Sequence, residues 1–169
     1  MGNERIMADR RLTRAEADEV TYNLHIILRF ELEQAIIGGD LAVGDIPGAW
    51  NDKFTHLLGL KVPNDAAGCL QDIHWSFGGM GYFATYTLGN LYAAQFMEAA
   101  RREMPGLDDD IRRGEFTPVT GWLQRNIHAH GQRYRAGELC RRATGRVLDH
   151  APLMRYLREK VTSLYRLAG

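Results

Sequence analysis

The densest concentration of chemistry in the chain is the run Gly68-Cys69-Leu70-Gln71-Asp72-Ile73-His74-Trp75, continued by a glycine-rich stretch that carries Tyr82 and Tyr86. An amide, a carboxylate, an imidazole and two phenols fall within one short segment. His74 is a candidate general acid or base, or a donor to an oxyanion. Tyr82 and Tyr86 could donate hydrogen bonds to a developing negative charge, and Asp72 could orient a neighbour. Gly68, Gly78, Gly79, Gly81 and Gly89 allow tight turns and close backbone approach. Their spacing fits neither GxGxxG nor the Walker pattern, which excludes a phosphate loop of either kind. The bland alternative is a polar–aromatic cluster that only satisfies a folded loop, and composition leaves the two readings level.

A second set of functional groups lies upstream. Arg14, Asp18, Tyr22, His25, Arg29 and Glu33 follow one another at steps of three or four, which on a helix puts them on one face. The residues around them are apolar, so the stripe either carries an internal salt-bridge network or lines a cleft. The pairing demanded of buried charges favours the network. The pair His128 and His130 is the one local hint of a metal. Residues two apart on a helix point away from each other and do not chelate easily, so surface histidines are expected there and no metal ligands.

The elements that must position these groups read as helices. Arg14–Ile37 contains no Gly or Pro, begins with a capping box at Thr13 and Glu16, and stops at Gly38-Gly39. Apolar residues almost all round it predict a largely buried helix. Asp45 and Pro47 open a second helix, through Leu58, and a loop follows from Leu60 to Ala67. Further helices are expected over 87–103, 108–113, 118–130, 136–143 and 152–167, punctuated by glycines and by Pro105-Gly106. The only candidate strand is a short one at Gly81–Thr85. The expected architecture is all-α, one helical unit over 14–169, with a glycine-rich irregular or β-like insert.

Composition excludes several classes. A chain of 169 residues with 45% hydrophobic and 25% charged residues has enough apolar material for a core and does not read as disordered. Lys and Arg number 21 against 21 Asp and Glu, so a strongly cationic nucleic-acid binder is not indicated. The second half is the more basic, but its arginines alternate with acids and apolar residues at helical spacing, as on a solvated helix surface. No apolar run approaches the ~20 residues needed to cross a bilayer. The opening MGNERIMADRR has no apolar stretch, so no secretory signal is expected and a cytoplasmic location is. Cys69 and Cys140 are spaced neither as a knuckle nor as a CxxC pair, and read as reduced, packed thiols.

Two motifs make the sequence resemble a known family. GxxQDxHW is matched in full by Gly68, Gln71, Asp72, His74 and Trp75, and IRxxAD is matched at Arg14, Ala17 and Asp18, with Thr13 replacing the isoleucine. Ala17–Glu33, Gly81–Asn90 (with Ala84 where a proline is usual) and Arg113–Phe116 agree as well. The chain resembles the Taq-type, thermostable zinc metallocarboxypeptidases from about Arg14 to its end. Residues 1–13 do not match. The resemblance implies the helical C-terminal portion of a gluzincin-like carboxypeptidase, the last third of a longer enzyme.

What the resemblance implies for the residues is specific. Arg14 would face the terminal carboxylate of a peptide or limit its length, with Asp18 fixing its rotamer. His74 and Tyr82 or Tyr86 would contact the scissile carbonyl or the tetrahedral intermediate. Gln71 and Asp72 would hold the loop behind them, and Trp75 would pack. The family's zinc is held by HExxH and a downstream glutamate, and none of the six histidines stands in an HExxH frame. Zinc is therefore expected in full-length members and not in this chain, and hydrolysis would require a missing N-terminal catalytic portion. The implied partners are peptide C-termini and a second copy in a homodimer, with no nucleic acid and no membrane. The competing expectations are a truncated, non-catalytic remnant and a binding module for peptide C-termini.

Overall fold

The computed structural model describes residues 12–166. Seven α-helices account for most of them: α1 (Tyr22–Gly38), α2 (Ile46–Leu58), α3 (Ala84–Glu103), α4 (Leu107–Arg112), α5 (Thr117–Asn126), α6 (Ala136–Thr144) and α7 (Ala151–Tyr165). Among the described residues there is no strand. No helix among them is long and apolar enough to cross a membrane. The expected all-α architecture is what forms. The expected segment 1–13 lies almost wholly outside the described residues, as does the predicted helix end at Leu167.

Two expectations need correction. Gly81–Thr85 is not a strand. Gly81 turns with φ 81°, the N–H and hydroxyl of Thr85 both bond the Tyr82 carbonyl, and α3 starts at Ala84. The first helix does not begin at Arg14 either. Arg14–Glu16 is a single 3₁₀ turn, and Ala17 is extended at ψ 144°. The reason is the Asp18 side chain: its Oδ1 accepts the backbone N–H groups of Val20 and Thr21, each at 2.9 Å. A short acidic side chain that bonds the backbone two and three residues on competes with helix and favours a cap. Thr13 reaches Glu16 only at 3.5 Å. At the other end the expectation holds, because Gly39 adopts φ 81°, the left-handed stop that glycine takes without strain.

The chain divides into two compact units, residues 1–87 and 88–169. In the first, α1 packs on α2. Leu28, Leu32, Trp50, Phe54 and Cys69 form its buried core. Burial on α1 is one-sided, since Ile27, Phe30 and Ile37 are exposed where apolar residues almost all round predicted a largely buried helix. In the second unit Ala99, Ala100, Leu107, Trp122 and Ala143 form the core. Gln95, fully buried, ties down the end of α6. Its Nε2 donates to the Thr144 hydroxyl at 3.0 Å and the Val147 carbonyl at 3.0 Å, and its Oε1 accepts from Asp149 N at 2.9 Å. Each unit also holds one buried free thiol, Cys69 and Cys140 respectively, as expected of packed cysteines.

Candidate functional site

The glycine-rich loop of the first unit folds around His74. A 3₁₀ turn over Trp75–Phe77 ends at Gly78, φ 83°, and Gly79 N donates back to the His74 carbonyl at 2.7 Å. A Cβ on Gly79 would lie 2.9 Å from that carbonyl oxygen and 2.9 Å from the Phe77 ring, so close approach requires glycine here. The closed turn presents the His74 ring to Phe77, Tyr82 and Phe83, with centroids 5.5, 5.8 and 4.6 Å away. Its Nε2 lies 3.3 Å from the Tyr86 hydroxyl. Its Nδ1 is buried without a hydrogen-bond partner and lies 3.8 Å from Asp72 Oδ1, too far for a hydrogen bond.

Arg14 meets this cluster from the N-terminal 3₁₀ turn. Its guanidinium carbon stands 4.7 Å from the Tyr86 ring centroid. Nη2 reaches Asp72 Oδ1 at 3.2 Å and Nη1 reaches the Tyr22 hydroxyl at 3.3 Å. Its backbone N–H donates to Gln71 Oε1 at 3.2 Å. Gln71 in turn donates to the Leu12 and Ala67 carbonyls at 3.1 and 2.9 Å, stitching the 3₁₀ turn to the loop. Burial works against the Arg14 charge, but the Tyr22 hydroxyl and Asp72 outweigh it and hold the guanidinium above its ordinary range. Burial likewise pushes the Asp72 carboxyl up. Arg29 and then Arg14 overcome that push, and the carboxyl sits below its ordinary value.

Of the residues singled out from sequence, Arg14, Gln71, Asp72, His74, Tyr82 and Tyr86 come together. Trp75 turns inward: its indole N–H donates to Glu33 Oε1 at 2.9 Å and its ring meets Trp50 edge-on. Asp18 does not join them. It is exposed, and its carboxylate caps the turn into α1, so the fixing of Arg14 falls to Asp72 and Tyr22. Arg29 was legible only as a member of the polar stripe. It is fully buried and donates to Asp72 Oδ2 at 2.7 Å, to Gln71 Oε1 at 2.9 Å and to the His25 carbonyl at 2.8 Å. The stripe is thus a salt-bridge network, but its acid comes from the loop and not from the helix. The step of three or four gave the arginines; nothing local in the sequence pairs them with residue 72.

Among the described residues no group of three or more His, Cys, Asp or Glu side chains could hold a metal ion. His128 and His130 lie on a 3₁₀ turn of their own, His128 exposed and His130 against the Tyr134 ring. What the N-terminal turn and the loop offer together is a cation, an imidazole and two phenols, from Arg14, His74, Tyr82 and Tyr86. Those groups suit an anionic or carbonyl ligand.

Comparison with known proteins bears on this geometry. The sequence profile of the carboxypeptidase Taq (M32) metallopeptidases matches residues 6–161. The chain is 47% identical over 154 residues to thermostable carboxypeptidase 1 of Thermus thermophilus, covering 91% of this chain and 30% of that protein. It is 44% identical to carboxypeptidase 1 of Bacillus subtilis, covering 91% and 31%. Its fold is similar to an M32 carboxypeptidase from Deinococcus radiodurans, with a TM-score of 0.90 at 48% identity over 92% of this chain and 32% of that one. Metallocarboxypeptidase 1 of Trypanosoma cruzi gives a TM-score of 0.85 at 40% identity. The chain spans about 30% of the length of the curated relatives it matches.

Proposed function

The chain belongs to the carboxypeptidase Taq (M32) metallopeptidase family, and from that membership we propose that it forms the substrate-binding, C-terminal portion of a zinc metallocarboxypeptidase that removes C-terminal residues from peptides. The observation that carries this reading is the meeting of Arg14 with His74 and Tyr86 around one loop. Arg14 binds the terminal carboxylate, for which a guanidinium supplies charge and a fork of donors. His74 and Tyr86, with the exposed Tyr82 beside them, donate to the scissile carbonyl oxygen as it gains charge. Gln71 and Asp72 keep the loop and Arg14 in register.

Zinc supplies such enzymes with an acidified water and a polarised carbonyl. The described residues do not fit a zinc site, because no three metal-binding side chains converge among them. The contribution assigned to this chain is therefore the gripping of the substrate, and no hydrolytic step is routed through it.

Binding isolates that contribution. N-acetyl-alanyl-alanine and its C-terminal amide are titrated against the chain and against Arg14→Ala. The carboxylate form should bind the wild type more tightly than the amide. Arg14→Ala should remove that preference at a cost of about 1.5–3 kcal/mol, the range of a hydrogen bond to a charged group. Equal binding of acid and amide by the wild type would sink the proposal.

A further inference from the structure

We propose that Arg29 is a positioning residue for Arg14: by holding Asp72 from the buried side, it leaves the Arg14 guanidinium only partly neutralised, with positive charge left over for an anionic ligand. This rests on the reading of Arg14 as the carboxylate-binding group. Two arginines share one carboxylate here, and their surroundings differ. Arg29 has no exposure at all, while the Arg14 side chain is 15% exposed. The Arg29 guanidinium lies 4.7 Å from the Trp50 ring and 5.3 Å from the Phe83 ring. A guanidinium does not shed its proton in a protein, so a buried one needs an anion. Glu33, one turn further along α1, accepts the Trp75 indole N–H on its Oε1 and makes no ion pair with either arginine.

Asp72 is the anion that remains. Its Oδ2 receives Arg29 Nη2 at 2.5 Å and Nε at 2.7 Å, whereas its Oδ1 receives Arg14 through a single contact at 3.2 Å. Shorter, doubled and more desolvated contacts are the stronger ones. The other hydrogen bond of the Arg14 head group goes to the Tyr22 hydroxyl and not to a second carboxylate. The three groups together carry one positive charge, and Arg14 is the end of the set that solvent reaches. Without Arg29, Asp72 would neutralise Arg14 and repel an incoming carboxylate.

The test uses the chain with Arg29→Met, Arg29→Lys and Arg14→Met. The carboxyl carbon of Asp72 is followed by NMR against pH, and N-acetyl-alanyl-alanine is the binding probe. In Arg14→Met the Asp72 titration should stay depressed, and in Arg29→Met it should rise toward the ordinary carboxylate range. Affinity should fall about tenfold in Arg29→Met and stay within about threefold of wild type in Arg29→Lys, which keeps the charge but not the fork. A residue that merely supports the fold would lower affinity alike in both Arg29 variants. That result overturns the inference. So does an Asp72 titration that Arg14→Met moves more than Arg29→Met does. If Arg29→Met does not fold, Arg29→Lys and Arg14→Met still decide it. If the wild type treats acid and amide alike, the carboxylate reading fails separately, and the Asp72 titration still reports which arginine holds it.

Discussion

At the scale of single residues, the site is organised by one carboxylate. Asp72 sits below its ordinary value of 3.8 because two arginines hold its charge against burial. A depressed carboxyl contributes stability that is fully present above the ordinary value and is lost as pH falls through the folded one. Asp72→Asn should therefore cost several kcal/mol near neutrality, roughly the 3–5 kcal/mol of a broken buried pair. The gap to wild type should narrow as pH drops below the ordinary carboxylate range. Urea unfolding at neutral pH and near pH 3 measures it, and a gap that stays constant would mean the charge on Asp72 does not matter. The types of these residues were legible in the sequence, since GxxQDxHW marks Gln71, Asp72 and His74 and the polar stripe marks Arg14 and Arg29. Their pairing was not, because Asp72 lies 58 residues from Arg14 and 43 from Arg29, and spacing rules speak only of neighbours within a helix.

At the scale of elements, the start of α1 is set by one side chain against the helical pattern. Periodicity from Arg14 to Glu33 is genuine helical spacing, yet Ala17 and Asp18 interrupt it. A capping side chain outcompeted the pattern, and the break frees Arg14 from the axis of α1. Asp18→Ala should cost about 1 kcal/mol, the usual loss of a cap, read by thermal unfolding. It should also weaken carboxylate binding less than Arg14→Ala does. A larger binding loss in Asp18→Ala would return that residue to the ligand site. The loop makes a sharper demand. Gly79→Ala brings a methyl group to 2.9 Å from the His74 carbonyl oxygen, which is backbone and cannot swing aside. The expected outcome is a lowered melting temperature and a disturbed His74 imidazole signal by NMR; an unchanged His74 signal would show that the turn does not set the ring. Helix ends were easier to read where glycine acts alone. Gly39 and Gly59 both take the left-handed conformation that stops a helix. The false strand at Gly81–Thr85 arose because glycine and aromatic residues in a row suit a strand and a turn equally.

At the scale of the whole chain, helical content was legible from punctuation and period, whereas the division into residues 1–87 and 88–169 was not. Charge does shift there, from an acidic first half to a basic second one, but α3 runs across the boundary as a single helix with no linker to mark it. Core formation gathers distant segments, Leu32 and Phe54 into one cluster and Ala99 and Trp122 into the other, and such gathering is silent in a linear pattern. Most of the curated relatives' length lies outside this match. The two thiols give the division a further use. Cys69 and Cys140 are 7% and 0% exposed, and burial raises both above their ordinary value, so each is nearly inert while its surroundings stay closed. Each is a clock for its own unit. Reaction with an excess of a thiol reagent, followed by mass spectrometry of the two peptides, times the opening of one core separately from the other. Substituting Phe54→Ala should accelerate Cys69 alone, and Trp122→Ala should accelerate Cys140 alone. If either substitution speeds both clocks together, the two cores open as one.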